Sequence, residues 1–321
     1  MADRPQLVDR VLGLLAGTAV GDGLGAPFEG RSSVSATALD RWIFSSQTLH
    51  HTDDTAMAMV LAEHMVHSGG INQAVLASDF AVAWYQEPMR GYGGGAAQVL
   101  AAIADGAHWR QAAVSVFEGG SWGNGAAMRV APVAVVSTSV PEAAELGRRS
   151  AEITHAHAHG RHGAALQSAA AYLALHSDPD HPLDTDAFLI DLTDVVPSES
   201  WQEKLVRGRA LLEREASTGE AVKALGNDIS ALGSVPLAVF AFLRHAESPE
   251  AAIRAAIRSG GDTDTIAAMT GALVGARHGH AGLPASWTAR LEAGPRLQRI
   301  TELLTGDWTT HGPFPPRRSQ R

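Results

Sequence analysis

Two short runs of oxygen-bearing residues, Thr52-Asp53-Asp54-Thr55 and Asp262-Thr263-Asp264-Thr265, stand near opposite ends of this chain with almost the same composition. Together they offer four carboxylates and four hydroxyls, and Glu29, ahead of the first run, is a fifth acid. Carboxylate, hydroxyl and water oxygens suit hard cations such as Mg2+, Mn2+ or Ca2+, whereas Zn2+ and copper favour imidazole and thiolate. Acids crowded into one pocket raise each other's pKa, so a fold that unites the runs is expected to set cations between them. Each run also has a simpler reading as a helix cap, since Thr and Asp are favoured at that position and apolar residues follow at helical spacing. One cap needs one side-chain oxygen, however, and Asp262 to Thr265 supplies four behind the flexible pair Gly260-Gly261. The surplus points to a ligand.

Two further segments could meet a substrate. Gly119-Gly120-Ser121-Trp122-Gly123-Asn124-Gly125 precedes a stretch expected to be helical, and backbone N–H groups at such a junction form a cradle for phosphate. It has no P-loop lysine, which argues against nucleoside triphosphate hydrolysis. Arg90-Gly91-Tyr92-Gly93-Gly94-Gly95 is a third glycine-rich loop with a weaker pattern. In Gly13-to-Glu29, a helix runs into a glycine-punctuated loop; Gly13 and Gly17 read as packing residues, Asp22 as a buried cap, and Glu29 as an acid placed to face a ligand. His155, His157, His159 and His162 invite a zinc reading, but no H-E-x-x-H framework accompanies them, and surface histidines are the expectation. His155, beside Thr154, is kept as a ligand contact.

The elements that must hold these residues are helical. Period-3.6 patterning predicts helices over about 6–20, 54–68, 71–86, 95–104, 108–118, 125–136, 141–154, 161–176, 185–196, 200–215, 218–225, 231–245, 249–258, 264–278 and 286–304, with no convincing strand alternation. The fold class is therefore all-α. Small residues such as Ala267, Ala268, Gly271, Ala272 and Gly275 share one helix face, which predicts close helix packing. One all-helical domain is expected over 1–304, and the Pro-rich tail 305–321 is read as extended or disordered.

Composition narrows the function. The chain has 321 residues, 45% of them hydrophobic and 18% charged, which describes a globular protein with a substantial core. Its net charge of −9 argues against strong binding to nucleic-acid backbones. No membrane span is expected, the longest apolar candidate being Leu232 to Leu243, which contains Pro236. The absence of cysteine rules out disulfides and thiolate metal sites and fits a cytoplasmic protein.

Taken in order over roughly residues 10–280, the motifs Gly17-Thr18-Ala19-Val20-Gly21-Asp22-Gly23-Leu24-Gly25, Thr52-Asp53-Asp54-Thr55, Gly123-Asn124-Gly125-Ala126-Ala127-Met128-Arg129, Thr154-His155 and Gly260-Gly261-Asp262-Thr263-Asp264-Thr265 resemble the ADP-ribosylglycohydrolase family. That family contains the bacterial dinitrogenase reductase activating glycohydrolase and the eukaryotic ADP-ribosylhydrolases. The resemblance implies a single compact, multi-helix orthogonal globule whose central cleft holds two Mg2+ ions, with Mn2+ as the other candidate. It also implies cleavage of the bond between ADP-ribose and a protein side chain or another acceptor, so that ADP-ribose or an ADP-ribosylated protein is the partner.

Carried onto this chain, the resemblance implies metal ligation by Thr52, Asp53, Asp54, Asp262, Asp264 and Thr265. Glu29 matches an acid that in some members reaches the metals from a mobile segment. Gly120, Ser121, Trp122, Gly123 and Asn124 would hold the diphosphate and distal ribose, with His155 near the nucleotide. The loop looks more like the branch acting on serine O-linked or poly-ADP-ribose than the arginine-specific branch, although Trp122 replaces an expected smaller aromatic. Glycoside cleavage through an oxocarbenium-like state needs acid help for the leaving group and an activated water. Paired cations can grip neighbouring ribose hydroxyls and lower the pKa of a bound water. Glu29 is the candidate for acid/base work, with Asp53 or Asp54 as the alternative. Two other classes stay open: a divalent-metal hydrolase such as a phosphatase, and a non-catalytic ADP-ribose-binding protein.

Overall fold

The structure, a computed structural model, describes residues 4–306, so the predicted tail from 307 onward lies outside the described residues. Among the described residues the regular structure is all helix, with two isolated β-bridges and no strand. The helices are α1 (Arg4–Gly25), α2 (Ala36–Ile43), α3 (Asp53–Ser68), α4 (Gln73–Gln86), α5 (Gly94–Ala104), α6 (Trp109–Ala112), α7 (Val133–Val136), α8 (Val140–Ala151), α9 (Ala158–His176), α10 (Thr185–Thr193), α11 (Glu199–Glu213), α12 (Thr218–Leu225), α13 (Ala231–Arg244), α14 (Pro249–Arg258), α15 (Thr263–His278), α16 (Ala285–Thr288) and α17 (Gly294–Leu304).

Helices α1 and α15 form the axis and pack antiparallel more extensively than any other pair. Glycines make this possible. A methyl group added at Gly17 would lie 2.0 Å from the Gly271 carbonyl oxygen, and one at Gly13 would lie 2.3 Å from that of Gly275. The backbones touch because no side chain separates them. The expected packing role of Gly13, Gly17 and the small face of α15 therefore holds. One expectation changes. Arg4–Phe28, which is α1 with a short 3-10 extension, does contain an 18-residue window apolar and long enough to cross a bilayer, and 83% of that window is buried inside the protein.

Most predicted helices appear within a few residues of their expected ends, and the exceptions have local causes. Ala36–Ile43 was not predicted; it is a short amphipathic helix capped by Ser35, whose hydroxyl accepts from the Ala38 N–H at 3.2 Å. The stretch expected over 108–118 contracts to α6, and 286–304 divides into α16 and α17, the latter starting at Gly294-Pro295. The helix expected over 125–136 is instead a series of turns until the short α7. Pro132 lacks a donor there, and Arg129 is drawn into the core, bonding the Ser150 carbonyl at 2.9 Å with its guanidinium 4.4 Å from the Phe80 ring centre.

Candidate functional site

The first oxygen run opens α3. Thr52 is its N-cap, and Asp53 and Asp54 occupy the first turn, where the helix dipole favours negative charge. Beneath them lies Asp22, fully buried, whose carboxylate accepts from the Thr52 N–H at 3.0 Å, the Thr55 N–H at 3.2 Å and the Thr55 hydroxyl at 2.6 Å. Asp22 is thus the expected buried cap, acting on α3 from α1. The second run opens α15. Asp262 holds the N-cap position, but its side chain makes no cap bond and accepts instead from Asn124 Nδ2 at 2.5 Å.

Two left-handed glycines, Gly260 and Gly261, let the chain reach that point. A side chain at Gly261 would sit 1.9 Å from the Asn227 carbonyl, and one at Gly260 would sit 2.6 Å from that of Ser32. The Gly261 N–H donates to the Arg31 carbonyl at 2.7 Å, and the Gly30 N–H donates to the Gly261 carbonyl at 2.9 Å. This clasp tethers the Glu29 segment to the second run. Carboxylate oxygens of Glu29, Asp262 and Asp264 all lie within 4.8 Å of one another, a group that could hold a metal ion. Across the cleft the Thr265 hydroxyl donates to Asp54 at 3.5 Å, joining the two runs over 211 positions of sequence. Asp53 and Asp54 line the same cleft, of about 240 Å3, outside that tight group of three.

The electrostatics follow from burial and crowding. Desolvation, then Asp262 and Glu29 nearby, lifts Asp264 to about 9; desolvation, then Asp22, lifts Asp53 to about 7 and raises Asp54 strongly. Burial likewise lifts Asp22 to about 6, against the bonds it accepts from Thr55 and Thr52. Glu29 shifts upward through burial and the charge of Asp262. One oxygen of Asp54 is buried with no hydrogen-bond partner. A buried, unsatisfied carboxylate oxygen is costly. An all-oxygen donor set with an orphaned carboxylate oxygen, and with acids that take up protons when no cation is near, fits a hard divalent cation.

The second half of the cleft departs from expectation in detail. Ser121, Gly123, Asn124 and His155 line it, whereas Gly120 and Trp122 do not. Gly120 is a left-handed turn residue pressed on Ala156 and His157, and the Trp122 side chain is half exposed. No helix begins at Gly125, so no dipole supports a phosphate there. The Gly120, Gly123 and Asn124 N–H groups already bond Phe117, Ser121 and Ile229 respectively, which leaves Gly119, Ser121, Trp122 and Gly125 as the remaining amides of this loop. His155 is buried, bonds the Thr154 hydroxyl at 2.8 Å, and is pushed down to about 3 by desolvation and Arg129, so its ring is neutral at physiological pH. His157 caps α9, and His159 accepts from the Trp201 indole at 3.1 Å; both are half-buried rather than at the surface.

Six residues that line the cleft were given no role from the sequence: Met57, Ala96, Phe117, Met128, Arg129 and Ile229. Met128 and Arg129 close the motif that begins at Gly123, and Arg129 stands out there as a lone charge ahead of Val130-Ala131. Its guanidinium is fully buried, and burial lowers it to about 9 against the pull of Asp53.

The sequence profile of the ADP-ribosylglycohydrolase family matches residues 3–313. The chain is 34% identical to ADP-ribosylhydrolase ARH3 of Bos taurus over 331 residues, covering 89% of both proteins. Against ADP-ribosylhydrolase ARH3 of Homo sapiens the identity is also 34%, covering 89% of this chain and 90% of the relative. ADP-ribosylarginine hydrolase Tri1 of Pseudomonas putida (strain GB-1) is more distant, at 24% identity over 93% of this chain and 78% of the relative. A solved structure described as an ADP-ribosylglycohydrolase-related protein complex superposes with a TM-score of 0.72 at 23% identity, covering 94% of this chain and 98% of that one, which establishes the shared fold.

Proposed function

The chain belongs to the ADP-ribosylglycohydrolase family, and from that premise we propose that it hydrolyses the glycosidic bond between ADP-ribose and an acceptor at the cleft between α3 and α15. One observation carries the reading: two acid runs 208 positions apart, Asp54 and Asp262 being their nearest members, open two helices onto one cleft and leave an Asp54 oxygen without a partner. Thr52, Asp53, Asp54, Asp262, Asp264 and Thr265, with Glu29, would hold two Mg2+ or Mn2+ ions. When bound, such ions would neutralise the acids, grip vicinal ribose hydroxyls and acidify water.

The remaining work falls to side chains of this protein. Asp22 fixes the Thr52 and Thr55 backbone from below, and Asn124 fixes the Asp262 carboxylate from the side. Glu29, at the exposed edge of the acid group and shifted upward by burial and Asp262, is suited to give a proton to the leaving oxygen and to take one from the incoming water. The neutral His155 ring and the Ser121 hydroxyl offer hydrogen bonds to the nucleotide half without adding charge. The lower identity to the ADP-ribosylarginine hydrolase than to the ADP-ribosylhydrolases argues against an arginine acceptor, and the likeness of the Gly120–Asn124 loop to the serine-acting branch supports a serine O-linked one.

The test is a panel of serine-, arginine- and acetyl-linked ADP-ribose with added Mg2+ or Mn2+, read by release of free ADP-ribose and of orthophosphate. Metal-dependent release of ADP-ribose, fastest from the serine linkage, is expected. Release of orthophosphate alone would identify a phosphatase, and binding without turnover would identify a non-catalytic ADP-ribose-binding protein.

A further inference from the structure

The third glycine-rich loop, Arg90–Gly95, forms one wall of the cleft through Gly91, Gly93, Gly94 and Gly95. It begins against the first acid run: a methyl group at Gly91, whose φ is +92°, would lie 3.7 Å from both Asp53 Oδ1 and Thr52 Cβ. The residue just before this wall, Arg90, joins its own segment to two others distant in sequence. Its Nη1 donates to Glu292 at 2.9 Å and to the His51 carbonyl at 3.2 Å; its Nη2 donates to the other Glu292 oxygen at 3.2 Å and to Glu87 at 2.7 Å. Glu292 in turn accepts from the His51 N–H at 3.4 Å and lies 3.0 Å from the His51 ring. Paired backbone bonds, Leu49 to Arg290 at 2.9 Å and Glu292 to Leu49 at 3.1 Å, hold Glu292 in place.

We propose that Arg90 and Glu292 are positioning residues for the reaction, setting the spacing between the Thr52–Asp54 run and the Gly91–Gly95 wall and so the width of the cleft that receives the ADP-ribosyl group. The inference rests on the hydrolase reading above. Asp22 grips the Thr52 backbone from inside the core; the Arg90–Glu292 pair grips the residue before it from outside. Only a planar, forked cation can meet both Glu292 oxygens, Glu87 and a carbonyl at once, so lysine cannot replace it. Glu29 is tethered to Gly261 through Gly30, on the side the clamp does not touch. Loss of the clamp should therefore loosen ligand binding more than it slows proton transfer.

Arg90→Met, Arg90→Lys and Glu292→Gln are compared with the parent in four measurements: kcat, KM, calorimetric Kd for ADP-ribose, and Mn2+ binding by electron paramagnetic resonance without substrate. In Arg90→Met, KM and Kd are expected to rise about tenfold, with kcat falling far less, the scale on which misplaced binding groups act. Arg90→Lys should regain thermal stability but not ligand affinity, a split that a purely structural ion pair would not give. Mn2+ affinity should weaken in step with the disturbance of Thr52. Folded Arg90→Met with kcat, KM and Kd all close to the parent's overturns the clamp. Should that variant not fold, Arg90→Lys and Glu292→Gln decide on the same criteria. A parent that neither binds nor cleaves ADP-ribosyl substrates overturns the hydrolase reading itself, whereas an active parent with unaltered variants sinks only the clamp.

Discussion

The middle of the α1–α15 pair and its end are built on opposite terms. Along the middle, Gly13, Gly17, Gly271 and Gly275 place no side chain between the two backbones, which meet directly. At the end, the same two helices deliver Asp262 and Asp264 to a cleft above the buried Asp22, where Asp264 is lifted to about 9 and one Asp54 oxygen has no partner. The contrast teaches that the pair is fastened where it has no chemistry, and that the cleft can be electrostatically unfavourable because its position is secured elsewhere.

The largest effect should come from the fastened part. Gly17→Val would drive a branched side chain into the Gly271 carbonyl and should cost more than about 4 kcal/mol, enough to prevent accumulation of folded protein. A soluble variant with the parent's melting temperature would break the comparison. In the cleft, Glu29→Gln should keep ADP-ribose binding while turnover falls on the order of 10²–10⁴-fold, the scale of a positioned acid or base. Parallel loss of affinity and turnover, partly restored by extra Mn2+, would recast Glu29 as chiefly a metal ligand.

Gly123→Val should weaken ADP-ribose on the order of tenfold by placing a branched side chain within 3.5 Å of His155 Nε2. Unaltered affinity by calorimetry would reduce the loop to a turn.

The smallest effect is on stability, and its sign can be derived. Asp22, Asp53 and Asp264 are lifted to about 6, 7 and 9, so without metal the folded state holds more protons than the unfolded chain across that range. Stability therefore falls as pH rises. His155, held down near 3, acts oppositely but only below its unfolded value of about 6.5. From about pH 6.5 to 9 the melting temperature of metal-free protein should decline, Mn2+ should reverse the decline, and Asp264→Asn should flatten it. A metal-free melting temperature that rises over that interval would contradict the crowding.

Several features were readable before any coordinates. The four-residue spacing of small residues in α1 and α15 states that two helices meet closely, and the surplus of oxygens in Asp262 to Thr265 over what one cap can use marks the run that opens onto the cleft. The helix mistaken at 125–136 shows the limit, because the same apolar spacing serves a helix or a set of turns until Arg129 finds Ser150 and Phe80. Gly120 illustrates it too. A glycine in a phosphate cradle and a glycine in a tight turn look alike in sequence, and only its contact with Ala156 and His157 tells them apart.

What the sequence by itself determined is local: which residues can be helical, which helix faces are bare, and which oxygens are too many for a cap. Those properties depend on spacing of a few residues along one chain. Only the tertiary structure decided that Thr265 reaches Asp54, that Gly30 is clasped to Gly261, and that Glu292 closes on Arg90 from 202 positions away. Such pairings are set by how helices cross and by where unsatisfied charge finds a partner, and no pattern within one segment records them.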